Sequence, residues 1–333
     1  MILAVPTNII TGFLGVGKTS AIKHLLSLKP TNERWAVLVN EFGEIGIDQS
    51  LLAGQTAKAK GIFIREVPGG CMCCAASLPM QIALNQLLAA SRPHRLLIEP
   101  TGLGHPKEVM QVLTSEHYRP VLSIDKTITL VDARKLTDSR YTDHETFKQQ
   151  LAIADVVVGN KQDRYCSADK PRLKAYVQER CRPSTSLTFT QHGQISLESL
   201  AGPAKNYLTP DSEHRHEHTH HHHAASEPLV SEQMLTPGGM LRAQNSGEGY
   251  HTEGWRFAPD IVFNYKKLRG LLNQISAERM KGIFITDAGV FGYNLTTDGL
   301  TEMVLDECTE SRVEIIADHL PGDLDTQLKA CFE

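Results

Sequence analysis

No uninterrupted apolar run in this 333-residue chain approaches the roughly 20 residues that a membrane-spanning helix needs. The apolar opening "MILAVPTNIITGFLG" lacks the basic leader of a secretory signal and runs straight into a glycine-lysine loop, so a buried strand is expected there. Neither sign of charge is in excess: 34 Lys+Arg against 38 Asp+Glu leave a net −4. That balance gives no global electrostatic case for nucleic acid or for an anionic membrane as a partner. Cysteine is sparse, seven residues in all, odd in number and irregularly spaced, which is not the pattern of a secreted disulfide framework. These absences together lead to the expectation of a cytoplasmic protein without nucleic-acid or membrane partners. With 41% hydrophobic and 22% charged residues the composition is that of an ordinary globular protein, and the length suggests two domains.

From residue 4 to about 200, short β-rich runs ("AVPTNII", "WAVLVN", "GIFIREV", "RLLIEP", "TITLVDA", "DVVVGNK", "SLTFTQ") alternate with helical candidates at 18–28, 75–91, 143–154 and 168–181. Apolar runs separated by helices predict an α/β domain over 1–205, with a mainly parallel, doubly wound sheet covered on both faces. Residues 206–250 are rich in Pro, Gly, Ser and His and poor in large apolar side chains, which predicts a flexible linker. The remainder, 251–333, reads as strand, helix, three strands and a last helix near 323–331. That order predicts a small α+β domain with helices on one face of an antiparallel sheet.

Chemistry-bearing motifs sit at the ends of the expected strands. "GFLGVGKT", Gly12 to Thr19, fits the G-x-x-x-x-G-K-[ST] pattern between a strand and a helix, the context that pattern requires. Gly12, Gly15, Val16, Gly17 and Ser20 then belong to a phosphate cradle in which backbone N–H groups and the helix N-terminus face the phosphates. Lys18 reaches the β and γ phosphates, and Thr19 ligates Mg²⁺. "NKQD", Asn160 to Asp163, follows a buried strand about 140 residues later. The Asp163 carboxylate can accept hydrogen bonds from the N1–H and 2-amino group of guanine, neither of which adenine offers, so Asp163 argues for GTP over ATP, with Asn160 and Lys161 as further nucleotide-binding residues of the same loop. In "RLLIEPTG", Glu99 can hold Mg²⁺ through water or orient the attacking water, and Gly102 can sense the γ phosphate. "NEFGEIGID", residues 40–48, adds Asp48 as a further Mg²⁺ candidate and Glu41 and Glu44 as candidates for a second metal.

Three of the seven cysteines, Cys71, Cys73 and Cys74, crowd into "GGCMCC". The spacing is too tight for a Cys-x-x-Cys redox pair and lacks the second half of a closed four-cysteine zinc site. Soft thiolates suit Zn²⁺ or Cu(I) and fit Mg²⁺ poorly, so a metal site separate from the nucleotide is expected. The run "HRHEHTHHHH" supplies His214, His216, His218, His220, His221, His222 and His223, imidazoles suited to loose capture of transition metals.

Together these motifs resemble the CobW-type P-loop GTPases, a metallochaperone family related to nickel-enzyme maturation GTPases. The likeness covers the phosphate loop, residues 40–48, the Cys-x-Cys-Cys loop, "EPTG", "NKQD", the histidine-rich segment and a small C-terminal domain. One departure is Pro100, where many relatives carry Ser or Thr. The resemblance implies GTP hydrolysis to GDP coupled to binding and delivery of a transition metal, zinc first, with cobalt, nickel or iron as alternatives. It also implies a client metalloprotein, and self-association dependent on metal or nucleotide is compatible with it. A zinc buffer, or a regulatory GTPase with a structural metal, would carry the same residues. No arginine finger follows the phosphate loop, so slow basal turnover is expected.

Overall fold

The computed structural model describes residues 3–39, 60–67, 78–104, 106–205, 235–247, 249–305, 307–319 and 322–333. Its first unit is a sheet of eight strands: β1 (Val5–Gly12), β2 (Trp35–Val39), β3 (Ile62–Glu66), β4 (Arg95–Glu99), β5 (Leu122–Ile124), β6 (Ile128–Val131), β7 (Val156–Gly159) and β8 (Ser186–Phe189). The order is β3-β2-β4-β1-β6-β7-β8, with β5 beside the start of β1, and every pairing is parallel. A parallel sheet needs cover on both faces, and β2 shows how the sequence provides for it. Trp35, Val37 and Val39 enter one apolar core while Ala36 and Leu38 enter the other, because side chains alternate along a strand. Helices α1 (Lys18–Ser27), α2 (Leu78–Ser91), α3 (Pro106–Leu113), α4 (Glu145–Ala152) and α5 (Asp169–Arg180) cover the two faces.

The second unit is an antiparallel sheet of six strands: β9 (Met240–Gly247), β10 (Tyr250–Phe257), β11 (Arg279–Thr286), β12 (Gly289–Thr296), β13 (Gly299–Leu305) and β14 (Ser311–Ala317), in the order β13-β12-β11-β14-β10-β9. Helices α6 (Tyr265–Leu272) and α7 (Leu324–Lys329) lie on one face, where Leu268, Leu272, Leu324 and Leu328 pack on Trp255, Phe257, Met280, Phe284 and Ile315. The first of these helices ends at Leu272, and the chain turns before β11. Asn264 caps its start by accepting the Lys267 N–H at 3.1 Å.

The sheet's opposite face turns toward the first unit. Ile316 is buried in the same apolar core as Val37 and Leu130, and Tyr250 packs near Phe13 and His144. Ion pairs join the two units around this contact: Lys135 and Arg140 to Glu278, each at 3.9 Å, and Arg140 to Asp318 at 3.3 Å.

The linker expected over 206–250 is corrected at its C-terminal end, because Met240–Gly247 is β9, hydrogen-bonded along its length to β10. β13 was likewise not anticipated. Both are edge strands, which need little apolar patterning because their order comes from backbone pairing on one side only.

Candidate functional site

All parallel strands present their C-terminal ends on one rim, where open α/β sheets bind ligands. β1 ends there in Gly12 and the chain turns into α1 through two further glycines in left-handed conformations, Gly15 at φ 69° and Gly17 at φ 98°. A Cβ on Gly17 would lie 2.6 Å from Nδ2 of Asn160. The glycine is therefore required both by conformation and by the close approach of the 160 loop.

Lys18 is buried at the helix start, its Nζ donating to the carbonyls of Gly12 at 2.9 Å and Phe13 at 3.2 Å. The Thr19 hydroxyl donates to Oε1 of Glu99 at 3.1 Å. Glu99 ends β4 and is 4% exposed, so a carboxylate and a hydroxyl meet at the lip of the phosphate loop. Two hard oxygen donors of this kind fit Mg²⁺.

The "NKQD" segment leaves the end of β7. Asn160 serves as a tie between loops: its Nδ2 donates to the Val16 carbonyl at 2.8 Å and its Oδ1 accepts the Gly193 N–H at 3.0 Å. Lys161 takes a left-handed conformation, φ 62°, and Asp163 faces the cavity. A cavity of about 390 Å³ joins these parts. Of the residues expected from sequence, Gly15, Gly17, Lys18, Thr19, Ser20 and Glu99 line it from the phosphate side, and Asn160, Lys161 and Asp163 from the base-reading side.

Gly12, Val16 and Gly102 stand behind this lining. The Val16 side chain is buried in the core. A Cβ on Gly12 would meet the Leu130 carbonyl oxygen at 2.5 Å, and one on Gly102 would lie 3.0 Å from the Leu14 backbone nitrogen, so "EPTG" packs directly on the phosphate loop. The Gly102 carbonyl in turn accepts from Nε2 of Gln150 at 3.0 Å.

Sequence reasoning missed half of the wall. Lys23, Arg164 and His192 line the cavity from the first unit, and Arg279, Lys281, Asn294, Thr296, Asp298 and Thr301 line it from the second. The register explains that group: Arg279 pairs with Thr296, Lys281 with Asn294, and Asn294 with Thr301, so all point from one face of the antiparallel sheet. The alternation in "RMKGIFIT" was the available signal, since charged Arg279 and Lys281 share a face that the apolar Met280 and Phe284 do not.

The cavity is basic although the chain is not. Lys18, Lys23, Lys161, Arg164, Arg279 and Lys281 face three carboxylates, Glu99, Asp163 and Asp298. A polyanion suits such a balance.

At the base-reading end, the Asp298 carboxylate accepts from Lys161 and from Arg134 at 2.9 Å, and pairs with Arg164 at 2.8 Å. Burial opposes its charge, but the bonds from Lys161 and Arg134 outweigh burial and hold the carboxyl at about 2. Asp132, nearly buried, grips Arg134 from behind at 2.6 and 2.9 Å. That hydrogen bonding is the main reason the Arg134 guanidinium is held charged even more firmly than usual.

The expected metal ligands Cys71, Cys73 and Cys74, the acids Glu41, Glu44 and Asp48, and the seven histidines from His214 to His223 all lie outside the described residues. Among the described residues no group of three or more His, Cys, Asp or Glu is arranged to hold a metal, and no helix is long and apolar enough to cross a membrane.

Comparison with known proteins agrees with this geometry. Residues 6–187 match the family model "CobW/HypB/UreG, nucleotide-binding domain". The chain is 40% identical over 316 residues to "Zinc chaperone YeiR" of Escherichia coli (strain K12), covering 93% of this chain and 92% of that protein. It is 30% identical over 223 residues to "Zinc chaperone CobW" of Pseudomonas aeruginosa, 59% of each chain. It is 28% identical over 165 residues to "Zinc-regulated GTPase metalloprotein activator 1" of Schizosaccharomyces pombe, 48% of this chain and 39% of that one. A family model that spans more than half of the chain, and a relative matched nearly end to end, leave one assignment: the chain belongs to the CobW/HypB/UreG family.

Proposed function

We propose that this protein binds GTP in the cavity between the phosphate loop and the 160 loop, hydrolyses it to GDP, and uses the change to control binding and delivery of zinc to a client metalloprotein in the cytoplasm. The observation that carries the reading is the meeting of Thr19 and Glu99 at 3.1 Å on the lip of the phosphate loop, with Asp163 across the same cavity. Lys18, at the N-terminus of α1, neutralises charge on the β and γ phosphates by exchanging the carbonyls of Gly12 and Phe13 for phosphate oxygens. Asp163 selects guanine, and Asn160 keeps the phosphate loop and the base-reading loop at a constant separation. Thr19, with Glu99 beside it, would hold Mg²⁺, which would supply positive charge against the phosphates. Glu99, buried against Thr19, orients the attacking water.

Gly102 is the contact through which loss of the γ phosphate passes from the phosphate loop to β4. Zinc is the cargo, taken by Cys71, Cys73 and Cys74, with the histidines from 214 to 223 as a low-affinity antenna, while Asp48 serves Mg²⁺ and Glu41 and Glu44 a second metal. The three relatives named above, two described as zinc chaperones and one as a zinc-regulated GTPase, support zinc over other metals.

The test is zinc affinity measured in the GDP state and in a nonhydrolysable-GTP state. Linkage requires the two to differ if hydrolysis drives delivery, and equal affinities would sink the mechanism. Replacing the three cysteines by serine is expected to remove tight zinc binding and leave GTP binding intact.

A further inference from the structure

Asp298 sits in the turn between β12 and β13, where Gly299 at φ 119° allows the tight reversal and the Asp298 N–H donates to the Thr296 hydroxyl at 3.2 Å. The turn carries the carboxylate out of the second unit and into the base end of the nucleotide cavity. There it meets three cations that all belong to the first unit: Lys161, Arg134 at 2.9 Å and Arg164 at 2.8 Å. The Asp298 side chain is 13% exposed, so water screens these contacts weakly. Lys161 and Arg164 flank Asp163, the residue assigned to guanine, and both line the cavity themselves. Lys161 also lies 3.7 Å from Asp132, so its head group is held between two carboxylates.

We propose that Asp298 is a positioning residue for the guanine nucleotide: acting through Lys161 and Arg164, it makes the affinity of the base-reading loop depend on docking of the C-terminal sheet. The inference rests on the reading of the cavity as a guanine-nucleotide site. A lysine at the end of a flexible stem otherwise samples many rotamers, and ordering it in advance removes a cost that the ligand would bear on binding. Reciprocity follows, because a nucleotide that binds more tightly when the sheet is docked must hold the sheet in place by the same factor. Nucleotide occupancy is thereby communicated to the C-terminal domain through the base-reading loop.

The experiment uses the full chain and a fluorescent GDP analogue, read by equilibrium titration and by dissociation rate. Asp298→Asn is expected to weaken binding about tenfold, the scale of one hydrogen bond between charged groups. Asp298→Glu, which keeps the carboxylate, is expected to recover most of that loss. Combining Asp298→Asn with Lys161→Ala is expected to be no weaker than Lys161→Ala alone by more than about twofold, since both act on one interaction. An Asp298→Asn protein that binds like wild type overturns the proposal. So does a double variant whose losses add in full, or a glutamate variant as weak as the asparagine one. If wild type itself does not bind the GDP analogue, the nucleotide assignment fails first and takes this proposal with it.

Discussion

Gly17 is where the phosphate loop and the 160 loop come closest, and Gly17→Ala is the most direct test of that arrangement. Two penalties act together. The residue is in the left-handed region at φ 98°, which costs an L-residue with a Cβ about 1–2 kcal/mol. The added Cβ would also lie 2.6 Å from the Asn160 amide, forcing that side chain off the Val16 carbonyl it now meets at 2.8 Å, a bond worth about 1 kcal/mol. The sum is about 2–3 kcal/mol. Because the loop is on the surface of the sheet, it relieves the strain by rearranging, and a ligand that needs the native loop must restore it. Affinity for GDP is expected to fall by about 30- to 140-fold, at 1.4 kcal/mol per decade. Fluorescent-nucleotide titration measures this, with Gly238→Ala as the control for a left-handed glycine with nothing within 4 Å of its Cβ position. Removing the obstructing side chain in a Gly17→Ala, Asn160→Ala double variant is expected to cost less than the two single changes added together. A Gly17→Ala protein that binds GDP within about threefold of wild type would refute the reasoning.

Glu99→Gln keeps the shape beside Thr19 and removes the charge, so phosphate release from GTP is expected to fall by about 10² or more while GDP binding changes little. Ile316→Ala, at a side chain 1% exposed between the two units, is expected to destabilise the protein by about 2–5 kcal/mol, measured by urea denaturation. The Asp298 carboxyl is depressed to about 2, so its contribution to stability is present above the ordinary Asp value near 3.8 and is lost as pH falls toward 2. Interdomain docking, followed by small-angle scattering, is expected to be unaffected by Asp298 titration between pH 5 and 8 and to weaken between about pH 4 and 2, as the carboxylate that meets Lys161, Arg134 and Arg164 is protonated.

The first unit was legible because its signals are local. A phosphate loop is a backbone shape written in glycines, and Gly15 and Gly17 do adopt the left-handed conformations that the spacing demands. The strands of the parallel sheet read as apolar runs because both of their faces are covered, as in β2, where all five residues are buried. The edge strands β9 and β13 were illegible for the complementary reason, as no residue of β13 is buried and it has no apolar face to betray it. The second unit's share of the cavity was illegible for a different cause. Asp298 meets Lys161 across 137 residues of sequence and Arg134 across 164, and "TTDG" in isolation is only a turn. Asn160 was anticipated as a nucleotide contact, whereas its observed hydrogen bonds tie two loops together, a role fixed by Gly193, which lies in no motif.

The parallel register also bears on how a nucleotide could reach a metal. Val39, the last residue of β2, pairs with Glu99 on one side and with Glu66 on the other. Strands in a sheet are about 4.8 Å apart, so the backbone of Glu66 lies about 10 Å from that of Glu99, whose carboxylate meets Thr19. The chain leaves β3 at Glu66, and Cys71 follows five residues later; it leaves β2 at Val39, and Glu41, Glu44 and Asp48 follow within nine. Both segments are therefore anchored on the rim that carries the phosphate loop, on the side of β4 away from β1, while the C-terminal sheet reaches the same cavity from the side of β7 through Lys161. On the proposed reading the nucleotide would stand between two responsive elements, its phosphates beside the Thr19–Glu99 contact at the end of β4 and its base beside the loop latched by Asp298. A change of phosphate and a change of occupancy are separable signals in such a layout, the first directed to the metal side and the second to the C-terminal domain. A Glu99→Gln variant should then disturb zinc release and leave domain docking intact, whereas Asp298→Asn should do the reverse.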